Sequence, residues 1–197
     1  METINTTLFL RINGANSSPQ WLIDTAIVVG EYLIYVIPLL LASMWLWGSR
    51  SQRELAVKAF AVAVLGVGIN QVIAMVWVHP RPFILGIGHT WITHAPDSSF
   101  PSDHVTVLAS VGLAFLLVGA RRLGWITMLC ALSVAWARIF LGVHFPMDML
   151  GAVGVATLSC VAIAPLWRCV GSVTVDWLEA LYRTIFARPI ARNWIQR

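Results

Sequence analysis

The sequence predicts an all-α integral membrane protein, a helical bundle of five to six membrane elements. Three observations support that class. The 197 residues are 58% hydrophobic and only 11% charged, where a soluble domain carries about 25% charged residues. Five stretches approach the roughly 20 apolar residues that an α-helix needs to cross the hydrocarbon. The basic residues collect in a few short segments between those stretches, as the positive-inside rule expects of a multi-pass protein.

The first residues, up to Trp21, hold Ile4, Leu8, Phe9 and Ile12 among polar neighbours. That spacing predicts either a short amphipathic helix on the membrane surface or a re-entrant element. Asn13-Gly14 and Ser17-Ser18-Pro19 end it. Without a basic start, this segment does not resemble a cleavable signal. The expected spans are Trp21 to Trp47, Leu55 to Val78, Pro101 to Gly119, Leu123 to Phe140 and Met147 to Trp167. From 168 to 197 an interfacial basic tail is expected, with Trp177, Leu178, Leu181, Tyr182 and Ile185 set among Arg183, Arg188 and Arg192. Length and the absence of repeats argue for a single domain over 1–197.

Orientation follows from charge. Arg50, Arg53 and Lys58 lie between spans one and two, Arg121 and Arg122 between spans three and four, and Arg168 with the tail after span five. These segments are expected in the cytoplasm. The loop from His79 to Phe100 and the turn around His144 then face the other side. Interfacial belts are expected from Trp21, Trp77 and Trp91 outside and from Trp45, Trp47, Trp125 and Trp167 inside. The net charge of +4 is explained by this asymmetry, and no basic face or base-stacking module points to a nucleic-acid partner. Cys130, Cys160 and Cys169 are odd in number and lack metal spacing, and so read as small apolar residues.

The outer side breaks the charge rule. It holds all five histidines, His79, His89, His94, His104 and His144, together with Arg81 and Arg138. Ionisable groups are expensive beside a bilayer and mark function by default. His104 lies 17 residues before Arg121 and Arg138 lies 17 after it. An antiparallel hairpin therefore brings both to one depth at about 1.5 Å per residue. His144 and Asp148 open span five at that surface, and Arg81 closes span two there.

Each residue type has a chemical use and a plainer alternative. Pro101-Ser102-Asp103-His104 can be only a capped helix start, with Pro101 in the first turn and Ser99 or Ser102 as cap. Such a start also turns free N–H groups toward an anion. Arg81 and Arg138 can clamp phosphate oxygens or snorkel to the interface. Asp148, four residues after His144, can hold the imidazole in one tautomer and leave its other nitrogen free to attack, or simply bond it. His104 suits a general acid. Asp103 either shapes the pocket or is an N-terminal helix carboxylate, the latter being the simpler reading. His79, His89 and His94 read as surface-loop residues. No pair has the spacing of a helical metal motif, so no metal and no cofactor are expected.

The set Arg81-Pro82, Pro101-Ser102-x-His104 and Arg138-x5-His144-x3-Asp148 resembles the three-part signature of the type 2 phosphatidic acid phosphatase superfamily. The likeness runs from about residue 70 to 155. Phe100 to His104 and Gly142 to Asp148 are most similar to bacterial undecaprenyl-diphosphate phosphatases of the bacitracin-resistance type. The resemblance implies that His144 is a nucleophile forming a phosphohistidine, assisted by Asp148, with His104 as acid. It implies that Arg81, Arg138 and Ser102, with Pro101 and Asp103 alongside, form the phosphate site, without metal. The implied partners are a polyprenyl diphosphate and the bilayer of the bacterial inner membrane, with the site on the periplasmic face. Lipid A as phosphate acceptor, or phosphatidylglycerol phosphate or phosphatidic acid as substrate, are alternatives on the same site. Anionic-lipid binding without chemistry is a further one. One departure stands out: Ala74 occupies the position where the superfamily usually carries lysine. The oligomeric state is not legible.

Overall fold

Hydrophobic length and small-residue spacing set the architecture. The computed structural model describes residues 2–196, and among them no strand occurs. Helix α1 spans Glu2–Ile12 and α2 Gln20–Ile27. A π turn over Val28–Tyr32 and a tight turn over Leu33–Tyr35 link α2 to α3, Val36–Trp47. Then follow α4 (Arg50–Val76), α5 (Asp103–Leu117), α6 (Arg121–Phe140), α7 (Pro146–Ile185) and the short α8 (Ala187–Ala191).

Four helical stretches are long and apolar enough to cross a membrane: 20–47, 50–76, 121–140 and 146–185. The chain is thus a multi-pass membrane protein. Three expectations need correction. First, the third expected span is only 15 residues, about 22 Å of helix. It can be short because it is the central helix, packed on α4, α6 and α7, and begins at the floor of a cavity. Second, the first span is not one regular helix but is rewound around Gly30 and Glu31. Third, the expected break after Trp167 is absent. Helix α7 continues through Pro165 to Ile185, 40 residues in all, about 60 Å long and twice the hydrocarbon thickness. Residues 168–185 are therefore an extension of span five rather than a separate surface helix.

Small residues let the helices approach, as expected where lipid offers no hydrophobic drive for association. Ala56, Ala59, Ala63 and Gly66 form a buried stripe on α4 that ends in buried Asn70. At Gly66 an added Cβ would lie 2.9 Å from Thr106 of α5. In the α5–α6 hairpin, Gly112 lies against Met128 and Gly124 against Leu116 with equally little space. This close packing fixes the height of α5 against α6, and so the height of everything at their site end.

The N-terminal helix is a surface buttress, not a span: 11 residues cover about 16 Å. Its buried residues are Asn5 and Phe9, while Ile4 and Leu8 point outward. Phe9 packs edge-on against Phe145 at 5.3 Å. Asn5 accepts a hydrogen bond from the Met147 amide at 3.0 Å, in the first turn of α7. Asn13 donates to the carbonyls of His89 and Phe140.

The opposite end is closed by Arg53, 2% exposed. It donates to the Trp45 and Gln196 carbonyls at 2.9 Å and to Glu179 at 3.4 Å. Its guanidinium lies over the Trp45 and Tyr182 rings. Arg50 pairs with Asp176 in the open, both side chains more than half exposed. Arg53→Met should cost about 1–3 kcal/mol, because the Trp45 and Gln196 carbonyls lose their charged donor, while Glu179 keeps Arg50 and Arg183. Arg50→Ala should change thermal unfolding in detergent little. Equal losses in the two variants would refute this account of the closed end.

Candidate active site

One long connection, one short turn and three helix ends build one cavity. Its volume is about 150 Å³. Arg81 comes from the segment after α4, His104 and Asp103 from the first turn of α5, Arg138 from the last turn of α6, and His144 from the turn before α7. Arg81, His104, Arg138 and His144 all face this cavity.

His144 is 2% exposed. Its Nδ1 lies 3.2 Å from Asp148 Oδ2 and its Nε2 3.1 Å from Arg81 Nη1. A guanidinium only donates. One neutral tautomer satisfies both contacts, with the proton on Nδ1 toward Asp148 and the lone pair on Nε2 toward Arg81. Burial, followed by the charges of Arg81 and Arg138, holds the imidazole well below its usual pKa. Asp148 is locked in turn: Oδ2 also accepts from the Phe145 amide at 2.8 Å and from the Ser99 hydroxyl.

The backbone before His144 is specified by Gly142, which has φ +83°. An added Cβ there would run into the His89 carbonyl. Only glycine accepts this conformation without strain. The turn leads into Pro146 at the start of α7, where its missing N–H costs nothing.

Arg81 is 5% exposed and fully engaged. It donates to Asp97 at 2.8 Å, the Val143 carbonyl at 2.8 Å and the Ser98 carbonyl at 3.2 Å. Arg138 donates to Glu31 and, at 2.9 Å, to His94 Nε2. The π turn carries Glu31 to it, and Gly30 permits the approach: a Cβ at Gly30 would be 2.9 Å from Leu141. Single π turns of this kind recur at functional sites.

Several sequence-based placements change. His94 is not a loose surface residue. Its ring lines the cavity, bonds Arg138 and lies 6.4 Å from the His144 ring. Neither Ser99 nor Ser102 caps α5 through its side chain. Ser99 serves Asp148 instead, and Ser102 is fully buried, its hydroxyl without a partner. Ser102 does not line the cavity, while Pro101 does. The Asp103 carboxylate accepts from Asn70 at 2.7 Å and Gln71 at 3.2 Å, which ties α5 to the end of the small-residue stripe. Ala74 lines the wall where a lysine is usual, with Gln71 and His94 facing the same space. The Trp91 indole donates to the Gly14 carbonyl and packs near Phe140.

Glu31, Asn70 and Asp97 were not singled out by sequence, and His94 and Ser99 were given other roles. Glu31 carried a usable signal, being the one carboxylate within an otherwise apolar stretch from Thr25 to Trp47. His94 and Asp97 sit in an irregular segment where no periodicity indicates orientation.

The His94 ring is held neutral mainly by burial and then by Arg81 and Arg138, against the pull of the Ala95 carbonyl. Both His94 and His144 bind a proton less tightly folded than unfolded. Above about pH 6.5 neither form is protonated and the difference has no effect. Below it the unfolded chain takes up protons that the fold refuses, so stability falls with pH. Thermal unfolding should therefore drop on acidification from pH 7.5 to 5, and His94→Gln should flatten that slope. An unchanged slope in the variant would contradict the assignment for His94.

Comparison with known proteins adds the lineage. Residues 55–170 match the PAP2 superfamily. The chain is 37% identical to YbjG of Escherichia coli (strain K12), covering 100% of this chain and 99% of that protein. It is 31% identical to the undecaprenyl-diphosphatase BcrC of Bacillus subtilis (strain 168), covering 97% and 100%. Among solved structures, Aquifex aeolicus LpxE superposes with a TM-score of 0.69 at 22% identity, covering 81% of this chain and 93% of that one. A PAP2 type phosphatidylglycerolphosphate phosphatase from Bacillus subtilis gives 0.64 at 19% identity, covering 86% and 87%. These two share the fold. With its motif residues gathered around one cavity and a match over more than half its length, the chain belongs to the PAP2 superfamily.

Proposed function

We propose that this protein removes the terminal phosphate of undecaprenyl diphosphate, giving undecaprenyl phosphate and inorganic phosphate, through a phosphohistidine on His144. The observation that carries the reading is the buried His144, its Nδ1 on Asp148 and its Nε2 lone pair held beside Arg81. A lipid diphosphate is the substrate class of the relative BcrC by its name, and that relative aligns over nearly the whole chain. The distribution of basic residues supports an inner-membrane protein with its site facing the periplasm. There it returns the cell-wall lipid carrier to use.

The steps follow from the groups present. His144 Nε2 attacks the terminal phosphorus as the bond to the bridging oxygen breaks. His104, across the cavity, gives its proton to the departing lipid phosphate. Water, deprotonated by the same His104, then cleaves the phosphorus–nitrogen bond and regenerates the free imidazole. Asp148 stabilises the charged ring between the two steps. Arg81, Arg138 and the N–H groups at the start of α5 hold the equatorial oxygens, the electrostatic work on which phosphoryl transfer chiefly depends. None of these roles calls on a metal ion. The polyprenyl chain remains in the lipid.

Purified protein in detergent with EDTA should release phosphate from undecaprenyl diphosphate, and His144→Ala should fall to the blank. His104→Asn should lose about 10²–10⁴-fold in kcat, with substrate binding retained. Acid quenching during turnover should trap a phosphorylated chain in the wild type and none in the alanine variant. Full activity in His144→Ala sinks the mechanism. Greater turnover of phosphatidylglycerol phosphate or phosphatidic acid, or phosphate appearing on added lipid A, reassigns the substrate or acceptor.

A further inference from the structure

Both buried arginines already hold an anion. Arg81 donates to Asp97 and Arg138 to Glu31. The partners differ in setting: the arginine side chains are 5% and 2% exposed, the carboxylates 61% and 37%. A guanidinium stripped of water requires a negative neighbour. A rim carboxylate keeps much of its hydration and is released at little cost. The pairing is therefore stable when the cavity is empty and easily exchanged for a better anion.

The elements that carry the two carboxylates are suited to giving way. Glu31 lies in the π turn of the first span. Asp97 lies in a strap over 92–98, which makes no backbone–backbone hydrogen bond among the described residues. The strap is latched by side chains: His94 on Arg138, Asp97 on Arg81, the Ser98 carbonyl on Arg81, and the Ser98 hydroxyl on the His79 amide. Three of these four latches end on the two arginines.

We propose that Glu31 and Asp97 are surrogate anions, occupying Arg138 and Arg81 in the empty site and exchanged for the phosphate groups of the substrate, which unlatches the 92–98 strap. The inference rests on the reading above that these arginines bind phosphate. It also links binding to reactivity. Arg81 Nη1 covers the His144 Nε2 lone pair at 3.1 Å. A phosphate that draws the guanidinium to its own oxygens uncovers the nucleophile in the same movement. Only ion pairs and hydrogen bonds change hands in the exchange.

A competitor built into the site lowers its affinity for the true ligand, so neutralising the competitor raises that affinity. The probe is methylenediphosphonate, a diphosphate mimic that is not hydrolysed. Its binding to the full chain in detergent with EDTA is measured by calorimetry for wild type, Asp97→Asn and Glu31→Gln. Each variant should bind roughly fivefold tighter than wild type. Each should also gain more thermal stability on adding the probe. Glu31→Gln should be less stable than wild type when empty and recover with the probe. Asp97→Asn, changed on the exposed strap, keeps the test decisive if Glu31→Gln does not fold. Unchanged or weaker binding in Asp97→Asn, or no binding in any of the three, overturns the proposal. Wild-type activity on undecaprenyl diphosphate is assayed in parallel. Tighter binding in the variants without that activity would refute the substrate and keep the exchange. Activity without tighter binding would do the reverse.

Discussion

A guanidinium taken out of water must have an anion, and two of them meet beside a bilayer in this protein. Arg81 and Arg138 are almost wholly buried, and an unpaired charge in such a place costs several kcal/mol. Much of the site follows from that constraint. The first span is rewound so that Glu31 reaches Arg138. The loop after α4 doubles back so that Asp97 reaches Arg81. Both histidines against the arginines stay neutral, since a protonated ring would turn a donor toward a donor. The cavity is thus electrically balanced without a ligand, which is what allows its cations to persist there.

Support for the chemistry comes from packing that has none. The alanine and glycine stripe of α4 brings its backbone against α5. The α5–α6 hairpin is held by glycines against Met128 and Leu116. These contacts leave little freedom for sliding, so the site ends of three helices keep their relative heights. The polar groups continue the same seams. Asn70 closes the α4 stripe by donating to Asp103 and Thr106, and Ser99 carries the seam on to Asp148. Positions held this way are suited to a reaction that depends on alignment.

The sequence made one part of this legible and hid another, for physical reasons. Apolar length revealed the four long helices, and the equal spacing of His104 and Arg138 from Arg121 placed them at one depth, because helical rise is constant. His144 and Asp148 were readable as a pair from their i,i+4 spacing. The 92–98 segment was not, since irregular backbone carries no period from which to infer direction. His94 thus passed for a surface residue although it faces His144. The role of Ser99 was equally hidden, since the contact to Asp148 spans 49 residues. The end of the fifth span was misread because Arg168 looked like a boundary, whereas Glu179 and Arg53 hold the following turns in place.

The docking of α1 sets the order in which the protein is completed. Asn5 reaches the amide of Met147 and Asn13 the carbonyl of Phe140, so α1 binds residues 142 and 127 positions further along the chain. No hairpin of neighbouring spans can supply that closure in advance. During synthesis α1 waits at the membrane surface while α2 to α6 are inserted, and its contact with Met147 forms only when α7 has begun to emerge. A chain halted before that point would hold Arg81, His104 and Arg138 without the Asp148 contact that fixes His144. The cavity is therefore among the last features of the molecule to close.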